Sequence, residues 1–312
     1  MKPNIVILDD MELTDAQFQF LSEMGDLKVF TGVPQSDEEV INRAANADIL
    51  ILGWTRLTAS IFEKLPRLKY IAVWATGFDY VDVVAAAQKN IPVSNVPGYA
   101  AESVAELTIG LMLSLSRKIP QAYEHVQKGG YSWKGFKGGE LFGKTLGVVG
   151  VGNIGKRVVE IAKGFGMKTI AYTKNPSVDR SLTLGVEFVN LDDLLRVSDF
   201  VSLHVPLRTE TENMIGKREL SLMKPTSFLI NTTRWAVVNQ KDLYTALNNK
   251  QIAGAGVDDL RVPDDEFLNL KNVVITPHMA FFTEEAIIRK TDICIENIHA
   301  YLSGERKNIV NL

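Results

Sequence analysis

The sequence predicts an α/β protein made of two parallel sheets, each wound on both faces by helices. Three observations carry that expectation. The chain has 312 residues, and at about 150 residues per domain that length fits two domains. Short β-rich runs alternate with helical patterns almost throughout, the signature of a parallel sheet covered by helices. The alternation is interrupted once, near the middle, and then begins a second series.

In the first series Ile5–Leu8, Leu27–Phe30, Asp48–Leu52, Leu68–Trp74 and Pro92–Val96 read as buried strands. Between them Asp15–Met24, Asp37–Ala45, Thr58–Leu65 and Val81–Lys89 have helical spacing with polar faces. The interruption is Ala100–Arg117, a long helical run with a small-residue face, followed by Pro120. Residues Gln127–Gly143 are rich in glycine and aromatics and read as an extended surface arm. Two readings of that arm stand side by side: a solvated linker, or a partner surface that gives Tyr131, Trp133, Phe136 and Phe142 a reason. The second series consists of Thr145–Gly150, Lys168–Tyr172, Phe200–Leu203, Ser227–Asn231, Ala253–Val257 and Asn272–Thr276.

Composition narrows the class. Hydrophobic residues make up 46% and charged residues 23%, which is ordinary for a globular chain and excludes a disordered or collagen-like one. A net charge of −3 and a pI near 5.9 leave no footprint for nucleic acid or an anionic membrane. The single cysteine, Cys294, forms no internal disulfide and no zinc site, so a reducing compartment and a cytoplasmic location are expected, with no metal. The N-terminus, MKPNIVILDD, has only four apolar residues before two aspartates and reads as a first strand, not a signal peptide. The longest apolar patch, Leu107 to Leu115, is too short to span a bilayer.

The strand Thr145–Gly150 runs directly into Gly150-Val151-Gly152-Asn153-Ile154-Gly155, and a helical pattern follows through Phe165. A GxGxxG alone is weak, but strand, glycines, helix and a further strand ending near Tyr172 give it meaning. Gly150 permits the tight turn, Gly152 lets backbone approach a pyrophosphate, and Gly155 allows helix and strand to pack closely. Amides at the helix N-terminus, at Asn153 and Ile154, then face the anion. An NAD site usually has Asp or Glu at the end of the next strand, accepting from the ribose 2′-hydroxyl. That strand ends Ala171-Tyr172-Thr173-Lys174-Asn175, with no acid. A 2′-phosphate meets no repulsion there and gains a charge-assisted contact from Lys174, which favours NADP. The competing reading is a solvated Lys174 with NAD bound without the acid.

With these residues in view the chain resembles the D-isomer-specific 2-hydroxyacid dehydrogenases over nearly its whole length. The resemblance is carried by Gly77-Phe78-Asp79-Tyr80-Val81-Asp82, Ile91-Pro92-Val93-Ser94-Asn95-Val96-Pro97-Gly98, Ser103-Val104-Ala105-Glu106-Leu107 and the phosphate loop with Phe165-Gly166-Met167. It continues through His204-Val205-Pro206-Leu207, Asn231-Thr232-Thr233-Arg234, Ala253-Gly254-Ala255-Gly256-Val257-Asp258 and Thr276-Pro277-His278. It implies a Rossmann cofactor domain, residues 99–284, inserted into a flavodoxin-like substrate domain made of residues 1–98 and 285–312. It also implies a cleft at the domain junction, and a homodimer formed through helix 100–117 and the arm 120–143.

Reducing a 2-keto acid needs a cation for the carboxylate, an acid for the developing alkoxide and a pocket that aims the hydride. Arg234 follows the strand SFLINTT at the edge where ligands of such folds bind, and its fork suits a carboxylate with the adjacent carbonyl. Of four histidines, His125 and His299 read as exposed. His278 follows the strand VVITP and matches the family's proton donor, while His204, Val205 and Pro206 match a cofactor-side stretch. The resemblance also places Thr232, Thr233 and Asp258 beside the cofactor, and the amides of Thr76 and Gly77 on the substrate carboxylate.

The chain departs from the family where a glutamate pairs with the histidine. Counting without gaps that position is Pro263, and aligning on the following proline makes it Val262; neither ionises. Asp264, Asp265 and Glu266 stand as substitutes. Trp235 replaces the usual glycine after the arginine, and Ala280 and Phe281 follow His278-Met279. The expectation is an NAD(P)-dependent reductase of small 2-keto acids with Arg234 and His278 catalytic. The alternative is a cofactor-sensing relative without turnover.

Overall fold

The computed structural model describes residues 2–261 and 265–311. The chain divides into two compact units, Met1–Tyr99 with Thr283–Leu312, and Ala100–Phe282.

Unit 1 alternates strand and helix: β1 (Asn4–Ile7), α1 (Asp15–Met24), β2 (Asp26–Val29), α2 (Asp37–Ala44), β3 (Ile49–Leu52), α3 (Ala59–Glu63), β4 (Tyr70–Val73), α4 (Val83–Gln88) and β5 (Val93–Ser94). The sheet is parallel in the order β2-β1-β3-β4-β5, the flavodoxin-like arrangement. Its central strands β3 and β4 are buried at every position, which is why they read as unbroken apolar runs. Helix starts are fixed locally: the Thr14 side chain accepts the Gln17 amide while Gln17 reaches back, and Ser36 and Asp82 cap α2 and α4.

In unit 2 the chain runs through α5 (Ala101–Arg117), α6 (Ile119–Gln127), β6 (Thr145–Val149), α7 (Asn153–Gly164), β7 (Lys168–Tyr172), α8 (Val178–Leu184), β8 (Glu187–Phe188), α9 (Leu191–Val197), β9 (Phe200–Leu203), α10 (Lys217–Leu222), β10 (Phe228–Asn231), α11 (Gln240–Asn248), β11 (Gly254–Val257), α12 (Asp265–Leu268) and β12 (Val273–Ile275). Its seven strands are parallel in the order β12-β11-β10-β9-β6-β7-β8. Strand order reverses between β6 and β9, and ligands of open α/β sheets bind outside the strands' carboxyl ends at such a switch point. The buried face of α5 packs on β10 and β11, close enough that a Cβ on Gly256 stands 3.0 Å from Leu111.

The sequence reads no helix between Arg117 and the arm, yet α6 forms there. Lys118 turns the chain in the left-handed region, and Pro120 sits in the first turn of α6, where its missing amide hydrogen has no helical partner to lose. No residue of α6 is buried. Beyond it Tyr131 and Trp133 stand 97% and 83% exposed.

The chain then returns to unit 1 as α13 (Glu284–Leu302), capped by Thr283. Tyr70 donates to Ser94 Oγ at 2.7 Å and lies within 3.3 Å of the Asn297 carbonyl, and Trp74 Nε1 donates to Thr291 Oγ1 at 3.0 Å, so α13 covers β4. No helix of the described residues is long and apolar enough to cross a membrane.

Candidate active site

The candidate residues of unit 2 follow the carboxyl ends of six neighbouring strands. After β6, Gly150 takes φ +93°, and a Cβ there would lie 2.6 Å from the His204 carbonyl oxygen. A Cβ on Gly155 would lie 2.1 Å from the Gly150 carbonyl oxygen, whereas one on Gly152 meets open space. The loop is thus packed from behind and open in front. No side chain caps α7, so the amides that begin it at Asn153 and Ile154 keep their capacity for an anion. These features fit a dinucleotide's pyrophosphate.

After β7, Lys174 Nζ pairs with Glu210 Oε1 at 3.0 Å, both largely exposed. Thr173 lies beside it, half-buried. A second cation stands between the two loops: Arg180 Nη1 donates to the Asn175 carbonyl at 2.8 Å and Nη2 to the Val151 carbonyl at 3.2 Å. The sequence reading passed over Arg180, although it lies only six residues beyond Lys174.

After β9, the His204 ring turns inward: Nε2 meets Ser202 Oγ at 2.8 Å and Nδ1 is buried without a hydrogen bond. Burial pushes its pKa down to about 3, so the ring is neutral and backs the phosphate loop. Val205 and Pro206 follow, and the Pro206 carbonyl accepts Thr211 Oγ1 at 2.6 Å.

After β10, Asn231 builds the next turn. Its Oδ1 accepts Thr233 N at 3.0 Å and Thr233 Oγ1 at 2.6 Å, and its Nδ2 donates to the Arg234 carbonyl at 3.1 Å. The Thr232 hydroxyl meets Thr108 of α5 at 3.1 Å. Arg234 is half-buried, and among the described residues no carboxylate pairs with it.

Two adjacent acids follow β11, and they face different ways. Buried Asp258 accepts Thr276 Oγ1 at 2.5 Å, Met279 N at 2.9 Å and Ala280 N at 2.8 Å, so its carboxylate ties down the turn after β12. His278 sits in that turn at φ +54°, uncommon for a residue with a side chain, and its amide donates to the Asp258 carbonyl at 2.6 Å. Asp259 instead points its Oδ2 to within 3.8 Å of His278 Nδ1, which is buried and makes no hydrogen bond. That separation exceeds a hydrogen bond but lies well inside electrostatic range. The sequence places this acid among residues 262–266, whereas the carboxylate that faces His278 among the described residues is Asp259. Val262, Pro263 and Asp264 lie outside the described residues, and Glu266 is exposed. The overlooked signal was a second aspartate directly after Asp258, one strand away from His278.

Trp235 donates its amide to Asp259 Oδ2 at 3.1 Å and carries the Arg261 guanidinium 5.4 Å from its ring centre. Phe281 lies 6.0 Å from the His278 ring.

In unit 1, Thr76 and Gly77 follow β4. Thr76 Oγ1 donates to the Val96 carbonyl at 2.7 Å and Asn95 Nδ2 donates to the Thr76 carbonyl at 2.8 Å. The amides of Thr76 and Gly77 donate to no acceptor among the described residues.

Residues 109–280, more than half of the chain, match the family described as D-isomer specific 2-hydroxyacid dehydrogenase, NAD binding domain. The chain belongs to the D-isomer-specific 2-hydroxyacid dehydrogenases. It is 38% identical over 322 residues to a glyoxylate reductase of Korarchaeum cryptofilum, covering 100% of this chain and 96% of that one. It is 39% identical over 314 residues to a D-3-phosphoglycerate dehydrogenase of Methanocaldococcus jannaschii, covering 99% of this chain but only 60% of the longer relative. Among solved structures, an acyclic imino acid reductase in complex with NADPH and D-Arg superposes with a TM-score of 0.91 at 37% identity, covering 98% of this chain and 99% of that one. The Rossmann unit inserted into a flavodoxin-like unit is therefore the family's fold, and this dehydrogenase is an oxidoreductase that uses a nicotinamide cofactor and acts on a CH–OH group.

Proposed function

We propose that this dehydrogenase reduces a small 2-keto acid to a D-2-hydroxy acid and favours NADPH. The observation that carries the reading is that one sheet presents at its carboxyl edge both Arg234, half-buried and with no carboxylate partner among the described residues, and His278, held on a turn by Asp258 and backed by Asp259. When bound at Gly150–Gly155, the cofactor supplies the hydride. Arg234 holds the substrate carboxylate and polarises its ketone; within unit 1, the amides of Thr76 and Gly77, which donate to no acceptor among the described residues, offer carboxylate donors of their own. His278 gives its proton to the oxygen as it becomes an alkoxide, with the Asp259 carboxylate 3.8 Å from its ring. Asp258 fixes the direction of the His278 ring by holding its turn. Thr232, Thr233, His204, Val205 and Pro206 wall the cofactor side. Lys174 and Arg180 give a 2′-phosphate two cations to meet, in place of an acid that would repel it. The exposed aromatics of α6 and the arm, with α5, form the interface of a homodimer. Buried Cys294 fits a cytoplasmic enzyme with no disulfide.

A steady-state panel of 2-keto acids, including glyoxylate and hydroxypyruvate, with NADPH and NADH tests the reading. No turnover of any keto acid, with tight cofactor binding, would favour the cofactor-sensing alternative. The likeness to the imino acid reductase supports a second substrate class, the imine formed from a keto acid and an amine. A protonated imine already carries its proton, so His278→Gln would spare imine reduction while removing ketone reduction. Adding ammonium or an amine to the assay separates the two.

A further inference from the structure

One lysine of unit 1 is buried where a charge is costly. Lys290 lies in the second turn of α13 and is 1% exposed. Its Nζ stands 3.5 Å from the centre of the Trp74 ring, 5.4 Å from Tyr99 and 5.6 Å from Trp54. The box around it is built from separate elements: Trp54 follows β3, Trp74 follows β4 and Tyr99 ends the unit's first segment. Each wall is fastened. Trp74 Nε1 is bonded to Thr291, the Tyr99 carbonyl accepts Arg289 Nε at 3.1 Å, and Asp9 accepts the amides of Gly53, Trp54 and Thr55 at 2.8–3.0 Å.

The titratable groups that face the amine are Cys294 on its own helix, Asp9 at the end of β1, Glu12 beyond it, and Tyr99. Desolvation lowers the Lys290 pKa to about 7, against the opposing pull of Cys294, Asp9 and Glu12. Aromatic faces favour the ammonium over the amine, while burial opposes it. The balance leaves a side chain that changes charge near neutral pH inside a rigid aromatic box. Trp74 is two residues from Thr76, where two adjacent amides have no acceptor among the described residues.

We propose that Lys290 is a positioning residue for substrate: its ammonium, clamped among Trp54, Trp74 and Tyr99, orders the wall beside the Thr76–Gly77 amides and adds positive potential there, so an anionic keto acid binds more tightly while Lys290 is protonated. This rests on the reading that those amides take the carboxylate. By linkage, anion binding draws a proton onto Lys290.

The test is KM and kcat for a turned-over keto acid between pH 6 and 9, at saturating cofactor, in the parent, Lys290→Met and Lys290→Arg. A unit charge acting across a partly screened site corresponds to roughly a three- to tenfold change in affinity. The parent's KM should rise by that factor across the range. Lys290→Met should start at the raised KM and stay level, with kcat within about twofold, and Lys290→Arg should keep the low KM to pH 9. Tryptophan fluorescence without ligand should titrate near pH 7 in the parent and lose that step in Lys290→Met. A level parent KM, or Lys290→Met reproducing the parent's slope, overturns the proposal. Should Lys290→Met fail to fold, Lys290→Arg with the parent's slope overturns it equally. If no keto acid is turned over, the reductase reading falls; oxamate affinity against pH, by calorimetry, then decides the role of Lys290, rising at low pH if it holds and level if it does not.

Discussion

Asp259 Oδ2 stands 3.8 Å from His278 Nδ1 while accepting the Trp235 amide at 3.1 Å, so a carboxylate fixed by backbone faces the imidazole. Asp259→Asn removes that charge and keeps the shape. Reduction passes a proton from that ring to the substrate oxygen, so kcat for keto-acid reduction should fall in Asp259→Asn while cofactor binding stays unchanged. A parent-like kcat means that Asp259 does not act through His278.

His278→Gln should remove most ketone reduction and leave cofactor binding nearly intact. General acid catalysis contributes about 10²–10⁴-fold, and the loss of kcat should be of that order. Near-normal turnover with a keto acid would remove His278 from the role.

Arg234→Lys should act mainly on keto-acid KM. A point charge cannot reproduce the two parallel contacts of a guanidinium with carboxylate and carbonyl oxygen. A variant with the parent's KM and kcat would show that the substrate does not meet this side chain.

Cofactor preference should follow the charges at the end of β7. NADPH is expected to lead by about tenfold in kcat/KM, since one exposed charge-assisted contact is worth at most about 1.5–3 kcal/mol before screening. Lys174→Ala should shift preference toward NADH, and Thr173→Asp further, because it adds both an acceptor and repulsion. Glu210→Gln releases Lys174 from its ion pair and should shift it the other way. A parent that uses NADH far better than NADPH would leave Lys174 as a surface partner of Glu210 only.

His204 should make the protein sensitive to acid. Its folded pKa of about 3 lies below the ordinary 6.5, so between those values the unfolded chain binds more protons. Its stabilising neutrality is thus complete above pH 6.5 and is lost as pH falls toward 3, at no more than about 1.4 kcal/mol per pH unit. Denaturant unfolding between pH 7 and 4 should show a shallower fall in His204→Gln than in the parent. Equal slopes would mean the ring is already protonated or reached by water.

What the sequence made legible was local or periodic. The unbroken apolar strands, the glycine loop and the strand-end positions of Arg234 and His278 all lie within a few residues of the signal that reveals them. What escaped depends on neighbours across a sheet. Asp259 and His278 are 19 residues apart and meet only because β11 and β12 pair in register. Arg180 bonds two loops that follow different strands. Lys290 escaped as well, since three aromatic rings from remote segments define its surroundings. His204 matched a cofactor-side stretch, and only its bond to Ser202 shows that the ring looks inward.

The return of α13 to unit 1 has a consequence for synthesis. Residues 1–99 leave the ribosome before Ala100–Phe282, yet Thr291 and the other groups that cover Tyr70 and Trp74 emerge only after it. At about 5–20 residues per second that interval lasts roughly ten to forty seconds. During it β4 carries an uncovered apolar face, whereas unit 2, continuous in sequence, has every strand it needs once Phe282 is made. The inserted unit is thus the one that completes first, and the N-terminal sheet is the part of the nascent chain with most need of a chaperone.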